Sequence, residues 1–410
     1  MPVVYTRCCG LDVHQASVTA CVLVFTGERN EVRIKQFSTF TGELIRLRCW
    51  LKSSKVTHVA MESTGVYWKP VWHELQGHFE LLLVNPLLVK QRRGHKTDQA
   101  DSEWIAEQLQ VGGLSSSFVP PQPVQELRDL TRYRTGLLQD RGRVVNRIHR
   151  LLEDMGIKLS TVATDIMGVT GRLILDAIVR GQQDPGWLAD YAKTSLRAKK
   201  KELTQALRGY VSEHHKRILQ FLLRDYDNLS AGVAELEEEL KQRYSGHQEL
   251  INRLCQIPGV DQTACWTILA EAGFDLQPFP SSGQFASWAG VCPGNHESAG
   301  KRRNVGVLKG NRYLRRMLVQ VAWAASRKKD SFLRAFFLRL STRRGPLKAL
   351  VALAHRIAVI LYRVIRNQEI YRELGGNFYD RRNPVRTAKR LMQRIQALGY
   401  QVEVSVTPSQ

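Results

Sequence analysis

The sequence predicts an α/β domain at the N-terminus, a helical middle with coiled-coil character and a mainly α C-terminal domain. Three observations carry this. Strand and helix signals alternate from residue 4 to residue 85. A stretch rich in Gly, Ser and Pro follows at 111–125 (Gly112-Gly113, Ser115 to Ser117, Pro120-Pro121, Pro123) and reads as a linker. Beyond it, apolar residues recur at helical spacing in several long runs. The expected boundaries are 1–124, 125–249 and 250–374, with a basic tail at 375–410.

Val4 to Val13 reads as a strand in which Asp12 falls at the end. Ser17 to Phe25 is β-branched and apolar and pairs back on it as a hairpin. Glu31 to Phe37 alternates polar and apolar, as an edge strand does. Thr41 to Leu51 is an amphipathic helix with Leu44, Ile45, Leu47 and Leu51 on one face. Thr57 to Met61 is a short buried strand leading into Glu62, Gly65 to Leu75 a helix, and Leu81 to Val84 another strand. A last helix opens near Thr97 or Asp98. Three strands, helix, strand, helix, strand, helix is the order of an RNase H-like fold, a mixed sheet with helices on its faces.

Asp98 and Asp101 are three residues apart, so both point to one face of that last helix's first turn. Alone they could simply cap the helix and favour its dipole. Paired carboxylates repel unless positive charge sits between them, and a divalent metal with hard oxygen ligands, Mg2+ above all, resolves this. Asp12 and Glu62 end the first and fourth strands, where ligands gather in such sheets. Four carboxylates from three segments point to a two-metal phosphoryl-transfer centre, with metals roughly 4 Å apart. Tyr67, Trp68 and Trp72 follow at helical spacing and read as core.

The stretches Gly10-Leu11-Asp12-Val13-His14, Met61-Glu62-Ser63-Thr64-Gly65-Val66-Tyr67-Trp68 and Lys96-Thr97-Asp98 with Asp101 resemble the DEDD motif set of the insertion sequence 110 family of transposases. The N-terminal domain of that family is similar to the Holliday junction resolvase RuvC.

Gln125 to Met155 reads as one long helix, with Leu127, Leu130, Leu137, Val144, Ile148, Leu151 and Met155 along one face. Arg128, Arg132, Arg134, Arg141, Arg143, Arg147 and Arg150 fill much of the rest, which favours a phosphate-facing helix over a merely solvated one. Leu203 to Leu240 is a second long helix, with Leu222, Leu229, Val233, Leu236 and Leu240 near heptad spacing. It is a candidate coiled coil and dimer contact, or else it packs on the 125–155 helix. Ile257-Pro258-Gly259-Val260 resembles a helix-hairpin-helix, a motif that offers a helix N-terminus to phosphate. Asp261 stands at the usual second glycine and would repel a phosphate, so the motif can equally be packing. Helices are expected at Leu318 to Ala325 and Leu347 to Ile365, and a short strand at Val402 to Val406.

Phe285 to Arg316 is glycine-rich and basic, with Lys301, Arg302, Arg303, Lys309, Arg312, Arg315 and Arg316 as candidate nucleic-acid contacts. A serine in such a loop can attack a phosphodiester. Trp288-Ala289-Gly290-Val291-Cys292-Pro293, Ser298-Ala299-Gly300 and Gly310-Asn311-Arg312-Tyr313-Leu314-Arg315 resemble the C-terminal transposase domain of the same family. The resemblance implies that Ser298 is the nucleophile. Ser298-Ala299-Gly300 departs mildly from the more usual Ser-Gly-Gly or Ser-Gly-Lys.

The composition agrees. A net charge of +22 and pI near 9.9 call for a polyanionic partner, nucleic acid before a membrane surface. The 43% hydrophobic content is ordinary for a chain with a substantial core. No run of about 18 apolar residues is present, so no membrane span is expected. Arg7, Asp12 and His14 interrupt the apolar start, so no signal peptide is expected. Seven cysteines without a CxxC pair read as reduced and structural, without zinc, in a cytoplasmic protein.

The resemblance implies a site-specific recombinase that cuts and rejoins donor and target DNA through a Ser298 phosphoserine link, with Asp12, Glu62, Asp98 and Asp101 on Mg2+. It implies a structured bridge RNA that selects the DNA, and a homo-oligomer, dimer or tetramer, whose subunits bring serine and carboxylates together. Three rivals stand beside it: a DNA invertase of the same family, a RuvC-like nuclease using water, and a non-catalytic nucleic-acid-binding protein.

Overall fold

The structure is a computed structural model that describes residues 2–63, 65–84, 97–294, 296–298, 301–303, 306–307 and 310–402, with backbone alone at 296–298 and 301–303. The chain divides into two compact units, Met1–Val119 and Pro120–Gln410.

The first unit holds strands β1 (Arg7–Val13), β2 (Ser17–Phe25), β3 (Asn30–Ser38), β4 (His58–Glu62) and β5 (Glu80–Val84), with helices α1 (Thr41–Ser53), α2 (Trp68–Leu75) and α3 (Asp98–Gln110). The sheet order is β3-β2-β1-β4-β5. The first three strands are antiparallel, and β4 and β5 add in parallel. This is the mixed sheet that the order of elements predicts. β3 is the exposed edge and carries Glu31, Arg33 and Lys35, charges that discourage further pairing.

Period-two alternation divides β1 between two cores. Cys9, Leu11 and Val13 pack with Leu44, Leu47 and Leu51 of α1 and Val71 and Leu75 of α2. Cys8 faces the other way, with Ile105, Ala106 and Leu109 of α3. Gly10 and Asp12 share that second face. A Cβ on Gly10 would lie 2.3 Å from the Ser102 carbonyl oxygen and 2.4 Å from the Ala106 nitrogen. The missing side chain therefore lets α3 lie directly against β1. We expect Gly10→Ala to cost on the order of 1–3 kcal/mol by overpacking. A thermal melt reads this, and an unchanged melting temperature would mean that α3 does not rest on β1.

In the second unit, α4 (Gln122–Asp154) runs antiparallel to a later helix of similar length. Between them, α5 (Val169–Val179) and short helical turns build an apolar cluster with Ile148, Leu152 and Leu219. The region expected as one helix from Leu203 to Leu240 is broken. Lys200–Ala206 ends, the chain turns, and α6 (Glu213–Arg243) starts anew. Gly209 makes the turn tight: a Cβ there would lie 2.3 Å from the Met155 carbonyl oxygen, to which the Tyr210 N–H donates at 2.8 Å. Ser212 and His215 then form a capping box.

The contacts between α4 and α6 follow one direction. His215 meets Asp154 at 3.1 Å, Arg141 meets Ser230 at 3.5 Å, Arg134 meets Glu237 at 2.9 Å, and Arg243 meets Glu126 at 3.1 Å. Numbers fall on one helix as they rise on the other, so the heptad apolar residues serve an intrachain helical hairpin. The phosphate-facing reading of the α4 arginines needs correction. Arg128, Arg132 and Arg134 turn into the protein, Arg141 lies 5.6 Å over the Tyr226 ring, and Arg143 pairs with Asp140. Arg147 and Arg150 are exposed.

α7 (Gln248–Cys255) and α8 (Gln262–Ala272) are the two helices expected on either side of the hairpin turn at Ile257–Val260. Asp261 caps α8, accepting the Ala264 N–H at 2.7 Å, which explains a carboxylate in place of glycine. Gly259, at φ +86°, is pressed against the Val321 carbonyl at 2.5 Å from where its Cβ would stand. The turn is thus used for packing. α9 (Ser282–Trp288), the strands β6 (His296–Ser298) and β7 (Lys301–Arg303), α10 (Arg312–Ala325), α11 (Phe332–Arg344) and α12 (Pro346–Arg366) follow. α11 was hidden by its four arginines, which blur the apolar period. The tail contains α13 (Pro384–Ala397), started by Asn383 and Pro384, with no buried residue. The strand expected at Val402 to Val406 lies, from residue 403 on, outside the described residues. Among the described residues, no helix is long and apolar enough to cross a membrane.

Candidate functional site

Asp12 lies near the end of β1 and is 7% exposed. The parallel register aligns Leu11 with Met61, so the next position sets Asp12 beside Glu62. Both continue the alternation of Gly10 and Ala60, on the face that α3 covers. Thr97 caps α3: its Oγ1 accepts the Ala100 N–H at 3.2 Å. That cap places Asp98 and Asp101 on the first turn, as their spacing predicts.

His14 completes the arrangement, and nothing in the motif reading marked it as more than part of a signature. Its N–H donates to the Ser17 carbonyl at 2.9 Å, which fixes the tight β1–β2 turn. Its Nε2 lies 3.2 Å from Asp12 Oδ2 and 3.4 Å from Asp98 Oδ1. The signal available in sequence was its place two residues after Asp12, on the same side of an extended chain. Burial pushes the Asp12 carboxyl up to about 6; His14 pulls against this, while the charges of Asp98, Asp101 and Glu62 push with it.

The donor set suits a divalent cation. Ligand atoms of Asp12, His14 and Asp98 all lie within 4.8 Å of one another, and this is the group of that kind among the described residues. Asp101 and Glu62 act on Asp12 through their charge without joining that tight group. Like charges gathered around a buried carboxyl are costly unless a cation offsets them.

Ser298 is the last residue of β6 and pairs with Lys301, while Glu297 pairs with Arg302 and His296 with Arg303. The expected open loop is thus a short hairpin at its described positions. Its base is closed by a Pro293–Val307 bridge and by the Gly294 N–H donating to the Gly306 carbonyl at 2.9 Å. Lys309 lies outside the described residues. Arg312, Arg315 and Arg316 fall on the first turns of α10, and Arg312 lies 4.8 Å over the Tyr313 ring.

The segment that carries Ser298 is pinned where it enters α10. A Cβ on Gly310 would lie 2.5 Å from the Trp288 carbonyl oxygen, so only glycine fits. Asn311 caps α10, its Oδ1 accepting the Tyr313 and Leu314 N–H groups at 3.0 and 3.1 Å. Its Nδ2 donates to Glu271 Oε2 at 2.6 Å. Glu271 has no solvent exposure and receives Arg132 through both oxygens, at 2.7 and 2.8 Å. Arg128 donates to the Glu271 backbone carbonyl at 2.6 Å. Sequence reasoning missed Glu271, although a lone carboxylate in the apolar run Ala264–Ala272 signals a buried partner.

The chain matches two family models. A DEDD-type transposase model of the IS110 group covers residues 9–157, and a model described as Transposase IS116/IS110/IS902 family covers residues 251–337. A Pseudomonas aeruginosa protein named "Probable family 20 transposase" is 27% identical over 322 residues, 77% of this chain and 85% of its own. The Coxiella burnetii "Transposase for insertion sequence element IS1111A" is 28% identical over 301 residues, 71% of this chain and 72% of its own. The Thermus thermophilus RuvC structure aligns with 27% of this chain and 99% of its own, at 14% identity and a TM-score of 0.22. The two matched segments carry the carboxylates and the Ser298 hairpin in one order on one chain, and they make the protein a transposase. The chain belongs to the insertion sequence 110 family.

Proposed function

We propose that this transposase cuts and rejoins DNA through a covalent Ser298–phosphate link. Ser298 Oγ attacks the scissile phosphorus, and its proton ends on the leaving strand's oxygen. The Oγ–P bond forms as the bond to the leaving strand's oxygen breaks, and that strand ends in a hydroxyl. The link conserves the bond for rejoining, which hydrolysis would not. Asp12, Glu62, Asp98 and Asp101 would hold a divalent cation, and Mg2+ is the ion that an all-carboxylate set favours. When bound, it supplies positive charge against the phosphate oxygens. Lys301, Arg302, Arg303, Lys309, Arg312, Arg315 and Arg316 would neutralise the DNA backbone. A structured bridge RNA would carry the choice of donor and target by base pairing, while the protein reads backbone shape. The reading includes a homo-oligomer, dimer or tetramer.

The observation that supports it best is the convergence of carboxylates on Asp12, from β4 and from the capped start of α3, in a chain with a charge of +22. The test is a search for a protein–DNA adduct on a denaturing gel. Wild type is incubated with Mg2+, RNA transcribed from beside the gene, and DNA carrying the element junction. A shifted band that disappears in Ser298→Ala is the expected result. Cleaved DNA without an adduct would replace this reading with water attack, and Ser298 would have no catalytic part.

A further inference from the structure

We propose that the far end of the α4–α6 hairpin binds a nucleic-acid strand with unpaired bases, its phosphates meeting a cluster of lysines and arginines and its bases stacking on Trp187 and Tyr210. This surface is separate from Ser298 and the carboxylates and does not depend on their roles. It lies between the two stretches that match the family, 9–157 and 251–337.

Residues 193–208 hold six cations and one acid, Glu202. Lys200 pairs with Asp190. Lys193, Arg197, Lys199, Lys201 and Arg208 are exposed and make no ion pair among the described residues. In the same unit Arg134 finds Glu237, Arg172 finds Asp176 and Asp227, and Arg243 finds Glu126. Unpaired like charges crowded on so short a segment repel one another, and a polyanion relieves that repulsion.

The segment is folded onto the hairpin. Leu196 and Leu203 pack in the apolar cluster with Ile148 and Leu219. The Lys193 N–H donates to Thr170 Oγ1 at 3.0 Å, and the Ala206 carbonyl accepts the Lys158 N–H at 2.7 Å. Cations carried on a fixed backbone lose less freedom on binding than those of a loose tail.

Two aromatic rings stand beside this charge. Trp187 is 69% exposed and Tyr210 is 77% exposed. Trp187 belongs to the helical turn Pro185–Ala189, which packs against the helix Lys200–Ala206, and Tyr210 follows that helix by four residues. Exposed rings beside unpaired cations are the two parts of a single-strand site, where every base offers a face to stack. A duplex keeps its bases stacked inside and would leave the rings unused.

The experiment is fluorescence anisotropy of the full chain with labelled oligo-uridine, oligo-thymidine and a DNA duplex of the same length, over a salt series. Lys193→Gln, Arg197→Gln, Lys199→Gln and Lys201→Gln are combined in one variant. A control, Arg343→Glu with Arg344→Glu, removes the same net charge from exposed positions of α11. Trp187→Ala and Trp187→Phe complete the set. All these side chains are exposed, and melting curves confirm that the variants fold. We expect the combined variant to bind single strands at least about tenfold more weakly, with the salt slope lowered by about 2–3, since each lost phosphate contact removes about 0.7. Trp187→Ala should lose about five- to tenfold at an unchanged slope, and Trp187→Phe should recover most of that loss, as stacking requires. The control should change by less than about twofold. Loss on oligo-uridine alone would assign the strand to RNA, loss on oligo-thymidine alone to DNA, and loss on both to a strand of either sugar. A combined variant that binds as the control does, Trp187→Ala that binds as wild type does, or a loss on the duplex as large as on the single strands would overturn the proposal.

Discussion

Glu271→Ala is expected to cost the second unit about 3–5 kcal/mol, because it breaks a buried ion pair from one side and leaves the other buried. The guanidinium of Arg132 would lose both of its bonds to the carboxylate, and Asn311 would lose its Nδ2 partner. Burial already pushes the Arg128 guanidinium down to about 10, with the Glu271 charge opposing that fall, so removing the charge makes Arg128 costlier still. Glu271→Gln keeps the shape and a carbonyl oxygen for Arg132 or Asn311 and should lose less. Urea unfolding reads the difference. At a slope of about 3 kcal/mol/M, the midpoint for Glu271→Ala should fall by about 1 M or more. A midpoint within about 0.2 M of wild type would mean that the network carries no stability.

Asp12→Asn is expected to move stability and activity in opposite directions. The folded Asp12 carboxyl titrates near 6, above its ordinary value of 3.8, because burial and neighbouring carboxylates favour the protonated form. The folded state therefore binds this proton more tightly than the unfolded chain. That contribution is fully present below the unfolded value, near pH 4, and is lost as pH rises through about 6. Asparagine suffers no such loss. Without metal, at pH 7.5, the variant should be more stable than wild type by about 1–3 kcal/mol, part of the gain being offset by the lost His14 pairing. The two should converge near pH 4. DNA cleavage by the variant should fall by about a thousandfold or more, since a neutral amide neither attracts a cation nor anchors one. Melting curves in a chelator across pH test the first half. A variant less stable than wild type at pH 7.5 would mean that Asp12 is not under electrostatic strain.

The first unit was legible because its signals are local. Period-two β-branched runs announce β1 and β2, and Thr97 before two spaced aspartates announces the start of α3. The role of Gly10 was not legible, since nothing within β1 says that a helix almost a hundred residues later will press on it. The arginines of α4 show the same limit in the second unit. Their number suggests phosphate, but Arg134 is satisfied by Glu237 and Arg132 by Glu271, acids more than a hundred residues away. The heptad run near Leu229 and Val233 looks the same in sequence whether its partner is α4 or another chain. His14 escaped because a turn residue becomes a neighbour of Asp98 only once α3 is packed.

The α4–α6 hairpin also fixes a length. A helix rises about 1.5 Å per residue, so the 33 residues of α4 measure about 50 Å, the reach of roughly fifteen stacked base pairs. One end is seated beside Glu271, and the other carries the apolar cluster around Ile148 and Leu219. Arg134 and Arg141 are one heptad apart, and their partners Glu237 and Ser230 are one heptad apart in the opposite sense. Seven residues added to each helix together would carry the distal cluster about 10 Å farther out and keep every pair in step, whereas seven added to one helix alone would dislocate all the pairs beyond the insertion.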